Sequence, residues 1–230
     1  MTGTLKERIA KVHQRIVAAC RRAGRDPSEV KVVAVTKMVA AEHLTDALNC
    51  GLTVFGENRV QEFLKKYEAI GKAAEWHLIG HLQSNKAKYL VGKVALIHSL
   101  DSLKLAKLLD KLSVAHGAPW RVLVQVNVSG EKTKFGLSPE EVPGFLDAVQ
   151  DLPGIEICGL MTMAPYEEDP ERTRPVFRSL RQLRDEMARS RHYLNLEHLS
   201  MGMTNDFEVA VEEGATMVRI GSALFSDYYN

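Results

Sequence analysis

Long apolar runs are missing from this chain, and no stretch of its 230 residues approaches the length that a membrane span requires. A membrane-crossing helix is therefore not expected. Cysteine is scarce: Cys20, Cys50 and Cys158 are odd in number, scattered and never in a CxxC pair, which indicates neither a disulfide framework nor a zinc site. A surplus of one charge is also lacking. The 30 Lys and Arg face 29 Asp and Glu, a formal net charge of +1. Nucleic-acid binders draw much of their affinity from phosphate neutralisation, so this balance argues against that class. The densest basic stretch, Arg172 to Arg191, is interrupted by Asp185 and Glu186 and carries its apolar residues at helical spacing, so it reads as a solvated helix face. Linkers, low-complexity segments and close repeats are absent too, and one domain over 1–230 is expected. The opening MTGTLKERIAKVHQ is charged and amphipathic, unlike a signal peptide, so a reducing cytoplasm is the expected compartment.

What is present is enough apolar material, 45% of residues, to bury a sizeable core without staples. Leu5, Ile9, Val12, Ile16, Ala19 and Ala23 recur at steps of three and four and predict a long amphipathic helix. Thr4 and Glu7 have the form of a capping box at its start, and Gly24 ends it. Lys31 to Thr36 is then a short, nearly continuous run rich in β-branched residues, as in strands buried on both faces. Similar runs follow at Thr53 to Gly56, Trp76 to Gly80, Val94 to Ser99, Arg121 to Val128, Ile155 to Met161, Leu196 to Met201 and Thr216 to Ile220. Helical patterns lie between them, for example Leu105, Leu108, Leu109 and Leu112. Strand and helix in alternation signify an α/β protein with a parallel sheet. No GxGxxG follows the first strand, so a (β/α)₈ barrel of the TIM type, with an extra N-terminal helix, is favoured over an open Rossmann sheet.

Barrels of this kind place their sites at the C-terminal ends of the strands. Lys37 follows the first strand and shares a face with Val33 and Val35. A lysine in a partly desolvated barrel mouth is held as the neutral amine that attacks a carbonyl, although a surface lysine at a strand end is the plainer alternative. Met217, Arg219 and Gly221 share one face of the last strand, and Gly221-Ser222 suits an anion site of the type barrels build after strands seven and eight. Ser200 and the Met201-Gly202 backbone would complete it. Arg219 can instead pair with a barrel carboxylate. His77 and His81 are poorly spaced for a metal and read as core or rim histidines, and Cys158 as a small buried residue. Met161, Met163, Met201 and Met203 read as core filler, Lys132 and Lys134 as loop lysines able to guide a phosphate, and Glu57 as part of a following helix turn.

The runs AVTKMV around Lys37, VFGENRVQEF from Val54, WHLIGHLQSNK from Trp76, KFGL from Lys134, GLMTMAP from Gly159 and LSMGMTNDFEVAVEEGATMVRIGSALF from Leu199 resemble the pyridoxal phosphate homeostasis protein family over nearly the whole chain. The resemblance implies a barrel like the N-terminal domain of alanine racemase, with pyridoxal 5'-phosphate (PLP) held as a Schiff base on Lys37. It places Arg219 at the pyridine nitrogen, Ser200, Gly221 and Ser222 at the phosphate, and Asn58 in the lining. Arg219 would keep that nitrogen unprotonated and the ring a poor electron sink. The implied role is intracellular PLP homeostasis, as carrier or buffer with effects on amino-acid and keto-acid balance, without robust catalysis and with PLP-dependent apoenzymes as transient recipients. Two departures are visible: Thr36 precedes the lysine where serine is commoner, and the tail from Ser226 differs from the family's Phe-Gly ending.

Two other functions compete. An amino-acid racemase needs a second base opposite the lysine, which the resemblance assigns to a C-terminal domain that this sequence does not contain; Tyr166, Tyr228 and Tyr229 are the candidates to substitute, and nothing in the sequence positions them. A Schiff-base aldolase for a sugar phosphate would use the same lysine and anion site without cofactor. A monomer is expected, since one familiar dimer interface goes with the missing domain.

Overall fold

The computed structural model describes residues 3–131 and 133–228. Its centre is a closed barrel of eight parallel strands in chain order. These are β1 (Lys31–Val35), β2 (Val54–Glu57), β3 (Glu75–Leu78), β4 (Leu96–Leu100), β5 (Trp120–Gln125), β6 (Ile155–Met161), β7 (His198–Met203) and β8 (Met217–Ile220). The ring closes where β8 pairs with β1, from Lys31 opposite Met217 to Ala34 opposite Ile220. All eight expected strands form. β5 stops at Gln125 rather than Val128 because the chain turns to its own loop: the Asn127 amide donates to the Leu137 carbonyl at 2.8 Å.

Around the barrel run α1 (Leu5–Ala23), α2 (Glu42–Asn49), α3 (Val60–Ile70), α4 (Leu103–His116), α5 (Val142–Val149), α6 (Arg174–Ser190), α7 (Phe207–Glu212) and the short α8 (Ser222–Phe225), while a 3₁₀ helix, Ser84–Leu90, links β3 to β4. The capping box of α1 is present on both sides, and Gly24 closes the helix in the left-handed conformation at φ 65°. Its buried face is Leu5, Val12, Ile16, Ala19 and Cys20; Ala23, placed there by spacing, is exposed. The helix packs on α7 and α8 and is pinned by ion pairs of Arg15 with Glu208 (2.7 Å) and Arg22 with Glu212 (2.6 Å). The basic run on α6 is largely neutralised: Arg174 pairs with Glu171, Glu212 and Glu213, and Arg178 and Arg181 also reach Glu213. Among the described residues, no helix is long and apolar enough to cross a membrane.

Side chains alternate between two cores, as pleating requires. Val32, Ala34, Phe55, Trp76 and Val218 face the helices, while Val33, Val35, Leu96, Leu123, Cys158 and Met217 fill the barrel. Space inside is tight at Gly56, where an added Cβ would lie 2.8 Å from Val33 Cγ1 and 3.1 Å from Ile79 Cδ1. Gly56→Ala is therefore expected to cost about 1–3 kcal/mol by overpacking, read as a lower urea midpoint with unchanged slope.

Candidate functional site

A cleft of about 470 Å³ opens at the C-terminal end of the barrel. It lies within the range of small-molecule sites, roughly 300–1,000 Å³. Its walls include Val35, Ile79 and Met163, and its polar groups include Lys37, Asn58, Thr204, Asn205, Arg219 and Ser222. Of the six residues singled out by sequence, Lys37, Asn58, Arg219, Gly221 and Ser222 line it together. Ser200 does not. It is fully buried one layer below, with its hydroxyl between Arg219 Nη1 (2.6 Å) and His98 Nδ1 (2.9 Å).

Lys37 stands on the rim, exposed, two residues beyond the end of β1. The desolvated lysine expected from strand position is not found, because the ladder stops at Val35 and Met38 turns the chain with a positive φ of 65°. The residue before the lysine is held firmly instead. Thr36 donates its amide to Gly56 O (3.1 Å) and its hydroxyl to Glu57 Oε1 (2.5 Å), and its carbonyl accepts from Lys66 Nζ (2.7 Å). Lys66 also pairs with Glu57 at 2.5 Å, and both side chains are buried. Glu57 is thus the last residue of β2, aimed outward at α3, and not part of a helix turn. Asn58 follows it, with its backbone against Gly80, where a Cβ would come within 2.3 Å of Asn58 O.

Arg219 is 4% exposed and reaches the cleft from β8. Its Nη2 donates to Thr162 O at 2.9 Å, and no carboxylate pairs with it among the described residues. Desolvation pushes its pKa down to about 10, opposed by the charge of Asp206, so the group stays cationic at neutral pH. The alternative of an arginine paired with a barrel carboxylate is thereby set aside.

The remaining candidates separate clearly. His77 is a buried core histidine bonded to Glu75 and His98, whereas His81 sits at the rim beside Asp101 and stacks on Phe135. Cys158 is a buried thiol that burial raises in pKa. Met161 and Met201 are core, but Met163 and Met203 line the cleft. Lys134 is engaged by Glu131 at 2.7 Å, and Lys132 lies outside the described residues. Tyr166 lines the cleft, Tyr228 packs against His43, and Tyr229 lies outside the described residues. Sequence reading missed Thr204 and Asn205. The polar Thr-Asn-Asp after β7 was their signal, and Thr204 Oγ1 accepts from the Ala223 amide at 3.3 Å, joining that loop to the start of α8.

A rim lysine, a buried cation and a strand-end cleft define a barrel of the alanine racemase N-terminal domain class, and the family model of that description matches residues 9–229. Relatives named pyridoxal phosphate homeostasis protein include one from Aquifex aeolicus, 52% identical over 96% of this chain and 97% of that protein. One from Pseudomonas aeruginosa is 42% identical over 97% and 95%. The chain belongs to the pyridoxal phosphate homeostasis protein family. The solved structure of PipY from Synechococcus elongatus, with PLP bound, superposes with a TM-score of 0.85 at 34% identity, covering 96% of this chain and all of that one. Alanine racemase of Corynebacterium glutamicum, at 18% identity and a TM-score of 0.67, shares the fold, and the match covers 60% of its chain.

Two expectations follow from the buried polar groups. Lys66→Met leaves the Glu57 carboxylate buried without its cation and is expected to destabilise by about 3–5 kcal/mol, with Glu57→Gln/Lys66→Met recovering much of the loss in urea unfolding. Burial also holds His77 and His98 below the ordinary value of 6.5. The unfolded chain then takes protons first as pH falls, so their contribution is present above 6.5 and declines below it. Melting temperature should fall between about pH 7 and about pH 5, with a flatter profile in His77→Phe/His98→Phe.

Proposed function

We propose that this chain is a PLP-binding barrel, a single domain, that carries or buffers the cofactor in the cytoplasm and acts as a monomer. The observation that carries the reading is Arg219: a buried guanidinium with no carboxylate paired to it among the described residues, lining a cleft whose rim presents the Lys37 amine. A buried charge calls for a partner, and an anionic pyridine ring fits one that is flanked by apolar Val35, Ile79 and Met163. PLP brings an aldehyde that joins to an amine and a ring that accepts electrons when its nitrogen is protonated. Lys37 supplies the amine. With the cofactor bound, Arg219 would meet the ring nitrogen, keep it unprotonated and weaken that electron sink, which would favour holding the cofactor over turning substrates over. Thr204, Gly221 and Ser222 would hold the phosphate, with Ser200 acting from behind Arg219, and Asn58 would border the ring. PLP-dependent apoenzymes fit as transient recipients.

The test is the absorbance of the purified protein with PLP, before and after borohydride, with peptide mapping. A visible band that reduction fixes on the Lys37 peptide is expected, absent in Lys37→Ala. No band in the native protein at saturating PLP would overturn the reading and favour the cofactor-free aldolase. Robust racemisation by native protein, lost in Tyr166→Phe, would replace the carrier role with an enzymatic one.

A further inference from the structure

A line of hydrogen bonds crosses the barrel interior from its N-terminal rim to the floor of the cleft. Glu75 Oε1 meets His77 Nε2 at 2.8 Å, His77 Nδ1 meets His98 Nε2 at 3.0 Å, His98 Nδ1 meets Ser200 Oγ at 2.9 Å, and Arg219 Nη1 donates to Ser200 Oγ at 2.6 Å. His77, His98 and Ser200 are at most 1% exposed, so each of their polar atoms depends on these partners rather than on bulk water.

Donor and acceptor counting gives the line one direction. The Glu75 carboxylate, held ionised by its bond to His77 and by Lys31 at 3.1 Å, can only accept, so His77 carries its proton on Nε2. A neutral His77 then accepts at Nδ1, which requires the proton of His98 on Nε2. A neutral His98 in turn accepts at Nδ1, and the only hydrogen available is that of the Ser200 hydroxyl. Neutrality follows from the surroundings. Lys31 on β1, Arg121 on β5, His198 on β7 and Arg219 on β8 set positive or protonatable groups around the pair, opposed by Glu75 on β3, and burial penalises its charge. Ser200 Oγ is left with its lone pairs facing Arg219.

We propose that His98 is a positioning residue of the cleft: by accepting the hydrogen bond of the Ser200 hydroxyl at Nδ1 it makes Ser200 Oγ a fixed acceptor that, with the Thr162 carbonyl, holds the Arg219 guanidinium in place. This deepens the PLP reading and rests on it for what Arg219 meets. His77 and Glu75 keep His98 in the required tautomer, as an orienting second partner does for a histidine elsewhere.

The experiment compares full-length native protein, His98→Phe and His98→Gln. Gln can both donate to His77 and accept from Ser200, whereas Phe keeps a planar ring and leaves the hydroxyl without its acceptor. PLP titration should show roughly tenfold or greater weakening in His98→Phe. It should also show a shifted pH profile of the visible band, with both largely restored in His98→Gln. Imidazole nitrogen shifts of the ligand-free native protein should place the proton of both His77 and His98 on Nε2. Native-like affinity and pH profile in a folded His98→Phe, or a His98 proton on Nδ1, overturns the proposal. Failure of native protein to bind PLP defeats the preceding reading instead, while the nitrogen shifts still decide the direction of the line. If His98→Phe does not fold, the shifts and His98→Gln decide: native-like binding by Gln supports the line, and loss of binding by a folded Gln variant counts against it.

Discussion

A positive charge placed inside an apolar barrel sets the terms for everything near it. Arg219 cannot shed its proton at neutral pH, so the fold must surround it with acceptors. The Ser200 hydroxyl on β7, the strand beside β8, and the Thr162 carbonyl just past the end of β6, one strand further round, do this. Satisfying Ser200 then recruits His98 from β4, and His98 recruits His77 and Glu75 from β3. One residue thus accounts for why polar side chains from half the strands occupy positions where a barrel ordinarily stacks Val, Ile and Leu.

Arg219 and Lys37, both lining the cleft, are held in opposite ways. Arg219 is fixed by direct hydrogen bonds and desolvated, whereas Lys37 stands in solvent and owes its place to the backbone behind it. Glu57 and Lys66 secure Thr36 from the helix side of the sheet, so a buried ion pair outside the barrel determines where an exposed amine begins. A rigid charge thus lies below the mouth of the cleft and an exposed amine at its rim.

Much of this was legible in residue order. Short, nearly continuous apolar runs located all eight strands and a period of 3.6 the long first helix, and barrel geometry brought Lys37, Asn58, Arg219, Gly221 and Ser222 to one end. What stayed hidden depends on pairing between strands far apart in sequence. His77 and His98 are 21 residues apart and His98 and Ser200 are 102 apart, and neither spacing has any local signature. Glu57 looked like a helix residue because its partner Lys66 lies across a layer boundary that only the closed barrel creates. Ser200 was placed at the anion site because sequence shows its strand but not its depth. Thr204 and Asn205 were passed over because polar residues after a strand ordinarily mark nothing more than a turn.

Ring closure also has a consequence in time. Because β1 completes its hydrogen bonding only against β8, and α1 lies on α7 and α8, the first-made and last-made elements depend on each other. Contacts of such long sequence separation form late, after their loop entropy has been overcome. On the ribosome the early strands must wait, with open edges, until Met217–Ile220 has emerged. The cleft, whose charged floor is carried by that same strand, comes into being with the closing event itself.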